Sequence, residues 1–288
     1  MTFNRAEIKR EAKRSIRESK PHAVLVSLVL VVIVLILQVL TMSLNGDIAA
    51  IVNTTQEILA AGYTDIVSVI TDMQNGTITV QSGEGAVGFG SLLVIVIELM
   101  ANVLSVGYAL YTLRVSRRMQ AGVGDVFDAF GLFFRAILVS LLPSILVGLW
   151  MCLYVLPVGM LIGATGSSVW AFVGLPLMIP AIRAAYSYRQ AVYILVENPR
   201  MNPMESIALS KAVMQGHRWE LFMLDLSFIG WWILQGIVLP VYLWVLPYSR
   251  VTQAHYYNYV MGEFVAQNGG MSGVDREQPP ESGEDSGE

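Results

Sequence analysis

The stretch AVLVSLVLVVIVLILQVLTMSL, residues 23 to 44, runs for 22 positions without a charged side chain. At the rise of an α-helix, roughly 20 such residues cross a hydrocarbon core of about 30 Å. Inside lipid an isolated segment satisfies its own backbone only as a helix, so this run predicts a transmembrane helix. It is longer than the apolar part of a secretory signal and lacks a small-x-small cleavage site, and a retained span is therefore expected. Similar runs recur at about 89–111, 136–160 and 169–188. Only 14% of the 288 residues are charged, against about 25% in an average soluble domain, and 55% are hydrophobic. The fold class that follows is an all-α, polytopic helical membrane bundle.

Charge sets the direction of threading. Residues 1–20 contain seven basic side chains, Arg5, Lys9, Arg10, Lys13, Arg14, Arg17 and Lys20, against three glutamates. The segment 45–88 carries Asp47, Glu57, Asp65, Asp72 and Glu84 and no lysine or arginine. The excess of basic residues on the cytoplasmic side of spans puts the N-terminus inside and this loop outside. Arg114, Arg117 and Arg118 then follow the second span, and Arg183 and Arg189 the fourth, in the same orientation.

Residues 219–264 admit two readings. A single span over 221–245 gives five helices and an external C-terminus. A hairpin of 219–236 and 238–261, turning near Gly236 and Pro240, gives six and a cytoplasmic C-terminus. An internal repeat favours the hairpin: AVLVSLV (23–29) and AILVSLL (136–142) are identical at five of seven positions, and each follows an amphipathic stretch. WELFMLDLS (219–227) stands in the same relation to a third such stretch. Six spans, in one integral membrane domain over 1–265, form the working arrangement.

The amphipathic stretches are legible. Asn4 and Glu7 have capping-box spacing, and on the helix they open, all seven basic residues fall on one half of the wheel. Ile8, Ala12 and Ile16, with Ser15 and Ser19, form a narrow strip beside them. Such a helix suits the anionic lipids of an inner leaflet, and it also enforces topology. Further on, Asn202, Pro203 and Glu205 start a helix that Gly216 stops, with Met204, Ile207, Ala208 and Val213 as its buried side. Two short helices, about 47–61 and 65–75, are expected in the outer loop, where Asn53 and Asn75 match the glycosylation sequon. Residues 266–288 read as a disordered acidic tail.

Ionisable groups at membrane depth are the candidate functional residues, because even lenient scales charge about 2.5–3.5 kcal/mol for each. Glu98, Asn102 and Ser105 form a polar stripe at helical spacing. In the six-span arrangement Arg250 comes within reach of Glu98, and Asp225 within reach of Arg183, close to the cytoplasmic boundary. These groups either line a solute or proton path or tie helices together. Trp231 and Trp232, mid-depth, are expected to pack on neighbouring helices. Pro143, Pro157, Pro176, Pro180, Pro240 and Pro247 are expected to kink or break helices. Cys152, the single cysteine, reads as a packing residue in an apolar run. Asp125 and Asp128 read as a surface helix start rather than a metal pair. No catalytic, metal-binding or cofactor motif is found, and a net charge of -4 without a basic groove gives no support for a nucleic-acid partner.

The segments NPRMNPMESIALSKAVMQGHRWELFMLDLSFIGWWIL (198–234) and LWVLPYSRVTQAHYYNYV (243–260) resemble a bacterial integral membrane family, domain of unknown function 975. NRAEIKREAK (4–13), LSVGYALYTLR (104–114), GDVFDAF (124–130) and AYSYRQAVYILVENP (185–199) extend the resemblance over residues 1 to about 265. The chain departs from the pattern in a somewhat long outer loop, in LPVY (239–242) where a glycine-rich turn is expected, and in the acidic tail. The resemblance implies a multi-pass protein of a bacterial plasma membrane and no particular activity. The expected function is a non-enzymatic membrane scaffold, accessory or envelope-maintenance protein with a membrane-protein partner. The alternative is a small transporter or permease with a path at Glu98, and a lipid-modifying enzyme stands last.

Overall fold

The structure, a computed structural model, describes residues 4–19, 22–44, 58, 89–167 and 169–267. The helices expected in the outer loop, the two sequons and the acidic tail lie outside the described residues. Every regular element that is described is helical.

Helix α1, Arg5–Glu18, opens where Asn4 accepts hydrogen bonds from the amides of Ala6 and Glu7. Its strip of small residues packs inward: Ala12 and Ser15 are buried, and Ser15 Oγ lies 3.0 Å from His255 Nε2. Helix α2, Ala23–Leu44, coincides with the charge-free run. Helix α3, Phe89–Ser116, outlasts the predicted span by more than a turn. It closes in a Schellman turn, the amides of Arg118 and Met119 donating to the carbonyls of Val115 and Arg114 at 3.0 Å each. Arg118 holds the left-handed position, φ 56°, that glycine usually takes there. Its guanidinium meets Glu11 and Glu18 of α1.

Helix α4, Gly124–Asp128, continues through a 3-10 turn, Ala129–Leu132, into α5, Phe133–Thr165. A Cβ at Gly107 would meet the Val126 carbonyl oxygen at 1.8 Å, so only glycine lets α4 rest on α3. After α5 come α6, Val169–Val173, a 3-10 turn, Leu175–Met178, and α7, Ile179–Tyr188. Helices α8, Ala191–Glu197, and α9, Pro203–Val213, follow, the latter with the expected capping box between Asn202 and Glu205. Gly216 ends this turn at φ 86°. Then come α10, Arg218–Leu226, α11, Ile229–Ile237, a 3-10 turn, Leu239–Val241, and α12, Tyr242–Gln267.

Among the described residues three segments are long and apolar enough to cross a membrane: Ala23–Leu44, Leu92–Ser116 and Gly124–Thr165. The other three predicted spans have a different build. The fourth is divided by the turn holding Pro176, and the fifth bends at Ser227 and Phe228. The sixth is the long but polar α12. Of the prolines expected to kink or break helices, Pro143 and Pro157 lie inside α5 and Pro247 inside α12 without ending either helix, while Pro176 and Pro240 lie in 3-10 turns. Neighbouring helices and local adjustment make such prolines tolerable in membrane helices.

Helix α12 is the hub of the packing. Val251 belongs to a cluster with Ala12, Val26 and Tyr108, Ala254 and Tyr257 to one with Val106, Ala136 and Ile194, and Tyr256 and Val260 to one with Met214, Leu221 and Leu224. The far ends of the apolar helices are left bare, and only 6% of the apolar window in Gly124–Thr165 is buried. Such a surface suits lipid rather than water.

The repeat in the sequence is a repeat in packing. In each unit the first and fourth residues are buried: Ala23 and Val26, Ala136 and Val139, Leu221 and Leu224. The sixth, Leu28, Leu141 or Leu226, is exposed each time. The fifth is Ser27, Ser140 or Asp225, a polar residue on the inward side.

Candidate functional site

Asp225 is the buried charge that this register creates. It follows Leu221 and Leu224 on the packed face of α10 and is 4% exposed. Its Oδ2 accepts from Arg189 Nη1 at 2.8 Å and from Tyr186 Oη at 3.2 Å, and Gln253 Nε2 donates to Oδ1 at 3.5 Å. One carboxylate thus joins the end of α7, α10 and α12. The expected partner, Arg183, is exposed, and Arg189, six residues on, takes its place. Six residues are close to two turns, which bring the guanidinium to the C-terminal end of α7, where its stem can reach across.

The next bend is held by α1. Lys9 Nζ donates to the Ser227 carbonyl at 3.1 Å and sits 4.2 Å from the Phe228 ring centroid. Burial, then the charges of Lys13 and Arg5, lower the Lys9 pKa from its ordinary value. A second polar group ties α8, α3 and α12. Glu197 of α8 meets Arg117 Nη2 at 2.7 Å and accepts from the Tyr257 hydroxyl, while Arg117 Nε reaches Asn258 at 3.0 Å. Asn258 in turn donates to Ser116 Oγ at 2.9 Å. Arg114 pairs with both Asp125 and Asp128, so these acids anchor α4 to α3. Among the described residues no three histidine, cysteine, aspartate or glutamate side chains are placed to hold a metal.

The candidates expected at mid-membrane are arranged differently. Glu98, Ser105 and Arg250 are exposed, and among the described residues neither Glu98 nor Arg250 has an ion pair, so the expected Glu98–Arg250 contact is not made. The Arg250 carbonyl accepts from the Tyr193 hydroxyl at 3.4 Å. Asn102 is half-buried, and its Oδ1 is sealed without a partner among the described residues. Trp231 and Trp232, expected to pack inward, are exposed, as is Cys152. On α9, Met204 and Ala208 are exposed, and Ser206 and Ser210 supply the buried face with Ile207 and Val213.

The residues missed in the sequence are Arg189, Tyr186, Gln253, Glu197, Arg117 and Tyr257. One signal for Asp225 was present: its place in the repeat is the one that Ser27 and Ser140 occupy. The partners carried no such mark, because side chains far apart in sequence make these contacts. No curated protein and no solved structure matches the chain. The sequence pattern of one family does, over residues 1–263, and the chain therefore belongs to the family described as protein of unknown function (DUF975).

Proposed function

We propose that this chain is a six-span protein of a bacterial plasma membrane, with both termini cytoplasmic, that acts as a non-enzymatic scaffold, accessory or envelope-maintenance protein. Residues 1–265 then form one integral membrane domain. The observation that carries this reading is where the charges lie. The deeply buried acid, Asp225, is engaged by three side chains in a layer that fixes the helices. Glu98, on a helix otherwise apolar for three turns, is exposed, as are Leu92, Ile95 and Val96 of the same stretch. An outward carboxylate at that depth is costly in lipid and is relieved by a neighbouring protein surface. The six-span arrangement is supported by the cluster joining α10 to α12 and by the contact of α12 with cytoplasmic α1. Arg5, Arg10 and Arg17 of α1 are exposed and can meet the anionic inner leaflet, whereas Lys9 is engaged with Ser227 and Phe228.

A photo-crosslinking residue at position 98, irradiated in native membranes, is expected to capture a protein. Capture of lipid alone would contradict the reading. A reporter fused after residue 265 is expected to be cytoplasmic, and an external signal would sink the six-span arrangement.

A transport reading draws on one observation, the partnerless Asn102 Oδ1 one turn from Glu98. It requires that E98Q and R250Q abolish a solute or proton flux in proteoliposomes while assembly persists. The scaffold reading expects no flux to be lost.

A further inference from the structure

We propose that the groove between α7 and α10 is a binding site for one anionic phospholipid of the inner leaflet, its phosphate held by Arg183 and Arg218. The groove has a volume of about 510 Å³, and Ile179, Ile182, Trp219 and Phe222 line it with the two arginines. Among the described residues neither guanidinium has a carboxylate partner or a side-chain hydrogen bond. Arg218 Nε is sealed from solvent with no acceptor, an arrangement that leaves a buried donor unsatisfied unless a ligand supplies one. Two acids adjoin the groove and both are paired: Asp225, bonded to Tyr186 of the lining, with Arg189, and Glu220 with His217.

The walls distinguish a lipid from a free anion. Ile179, Ile182 and Trp219 are exposed apolar side chains, and Trp219 and Phe222 stack with ring centroids 5.1 Å apart. Ile179 lies four residues before Arg183, about 6 Å further from the cytoplasmic end of α7. An acyl chain laid along the isoleucines would therefore bring a phosphate to the arginines. Guanidinium groups match phosphate with paired, charge-assisted hydrogen bonds, and an aromatic pair suits the boundary between headgroup and tail. This assignment rests on the inner-leaflet orientation proposed above, but its test does not.

The test is native mass spectrometry of the full chain in detergent, with phosphatidylglycerol, phosphatidylcholine or inorganic phosphate added. The wild type is expected to retain phosphatidylglycerol in preference to phosphatidylcholine. R183Q/R218Q is expected to lower that retention about tenfold. R200Q/K211Q, which removes equal charge elsewhere, is expected to leave it unchanged. I182W keeps both arginines and fills the groove, so it serves if the arginine variant does not fold, and it too is expected to reduce retention. Equal retention of both lipids, equal loss in R200Q/K211Q, undiminished binding in I182W, or displacement of the lipid by millimolar phosphate would each overturn the proposal. The reporter after residue 265 tests orientation separately, so failure of one idea does not pass for failure of the other.

Discussion

The first and third repeat units place a polar side chain at the same point of the same register and satisfy it in opposite ways. Ser27 donates to its own helix, to the Ala23 carbonyl at 2.7 Å, and shares one further bond of 2.6 Å with the Tyr108 hydroxyl. Asp225 has no such local solution, because an ionised carboxylate only accepts. It draws donors from Arg189, Tyr186 and Gln253 on separate elements. The difference follows the build of each unit. Helix α2 is one uninterrupted span that needs little help, whereas α10 and α11 are short pieces joined at a bend. Where helices are short, the buried acid supplies the cross-link that length supplies elsewhere.

Exchanging the two solutions should break the comparison most strongly. S27D puts a carboxylate into a fully buried position whose neighbours offer one hydroxyl, and a loss of about 3 kcal/mol or more is expected, seen as failed membrane insertion or a collapsed thermal midpoint in detergent. D225A is next. It leaves Arg189 without its partner, and about 2 kcal/mol is expected, less than for a fully buried pair because that guanidinium is about a third exposed. S27A should cost about 1 kcal/mol, since it strands the Tyr108 hydroxyl in the core. S140A, whose hydroxyl only returns to the Ala136 carbonyl at 3.0 Å, should change the midpoint by less than about 0.5 kcal/mol. A reversal of the last two would mean that the second unit, not the first, relies on its serine.

Much of this fold was legible because its signals are local. A charge-free run fixes α2 to the residue, a cap fixes the start of α9, and the matching heptapeptides announce a shared register. What resisted reading was which face turns inward. In a soluble protein the apolar face is the buried one, but on helices apolar enough for a membrane Leu, Trp and Cys can turn outward as readily as inward. The interior is instead marked by small and polar groups such as Ala23, Ser27, Ser206, Ser210 and Thr252, as is usual between membrane helices. That is why Met204 and Ala208 were assigned to the wrong side and the serines between them passed over. The site was legible only as a list of charges. Asp225 could be singled out as a charge within an apolar stretch, yet the choice between Arg183 and Arg189 depends on where α7 ends against α10, which no local pattern records.

The central claim is that Asp225 works as a structural cross-link, and a double-mutant cycle tests it most directly. D225S, R189Q and the double variant would be compared by thermal unfolding in detergent. A structural pair predicts that D225S and R189Q each destabilise the protein and that the double variant recovers part of the loss, with a coupling above about 1 kcal/mol. Strict additivity, or a D225S variant as stable as the wild type, would contradict it.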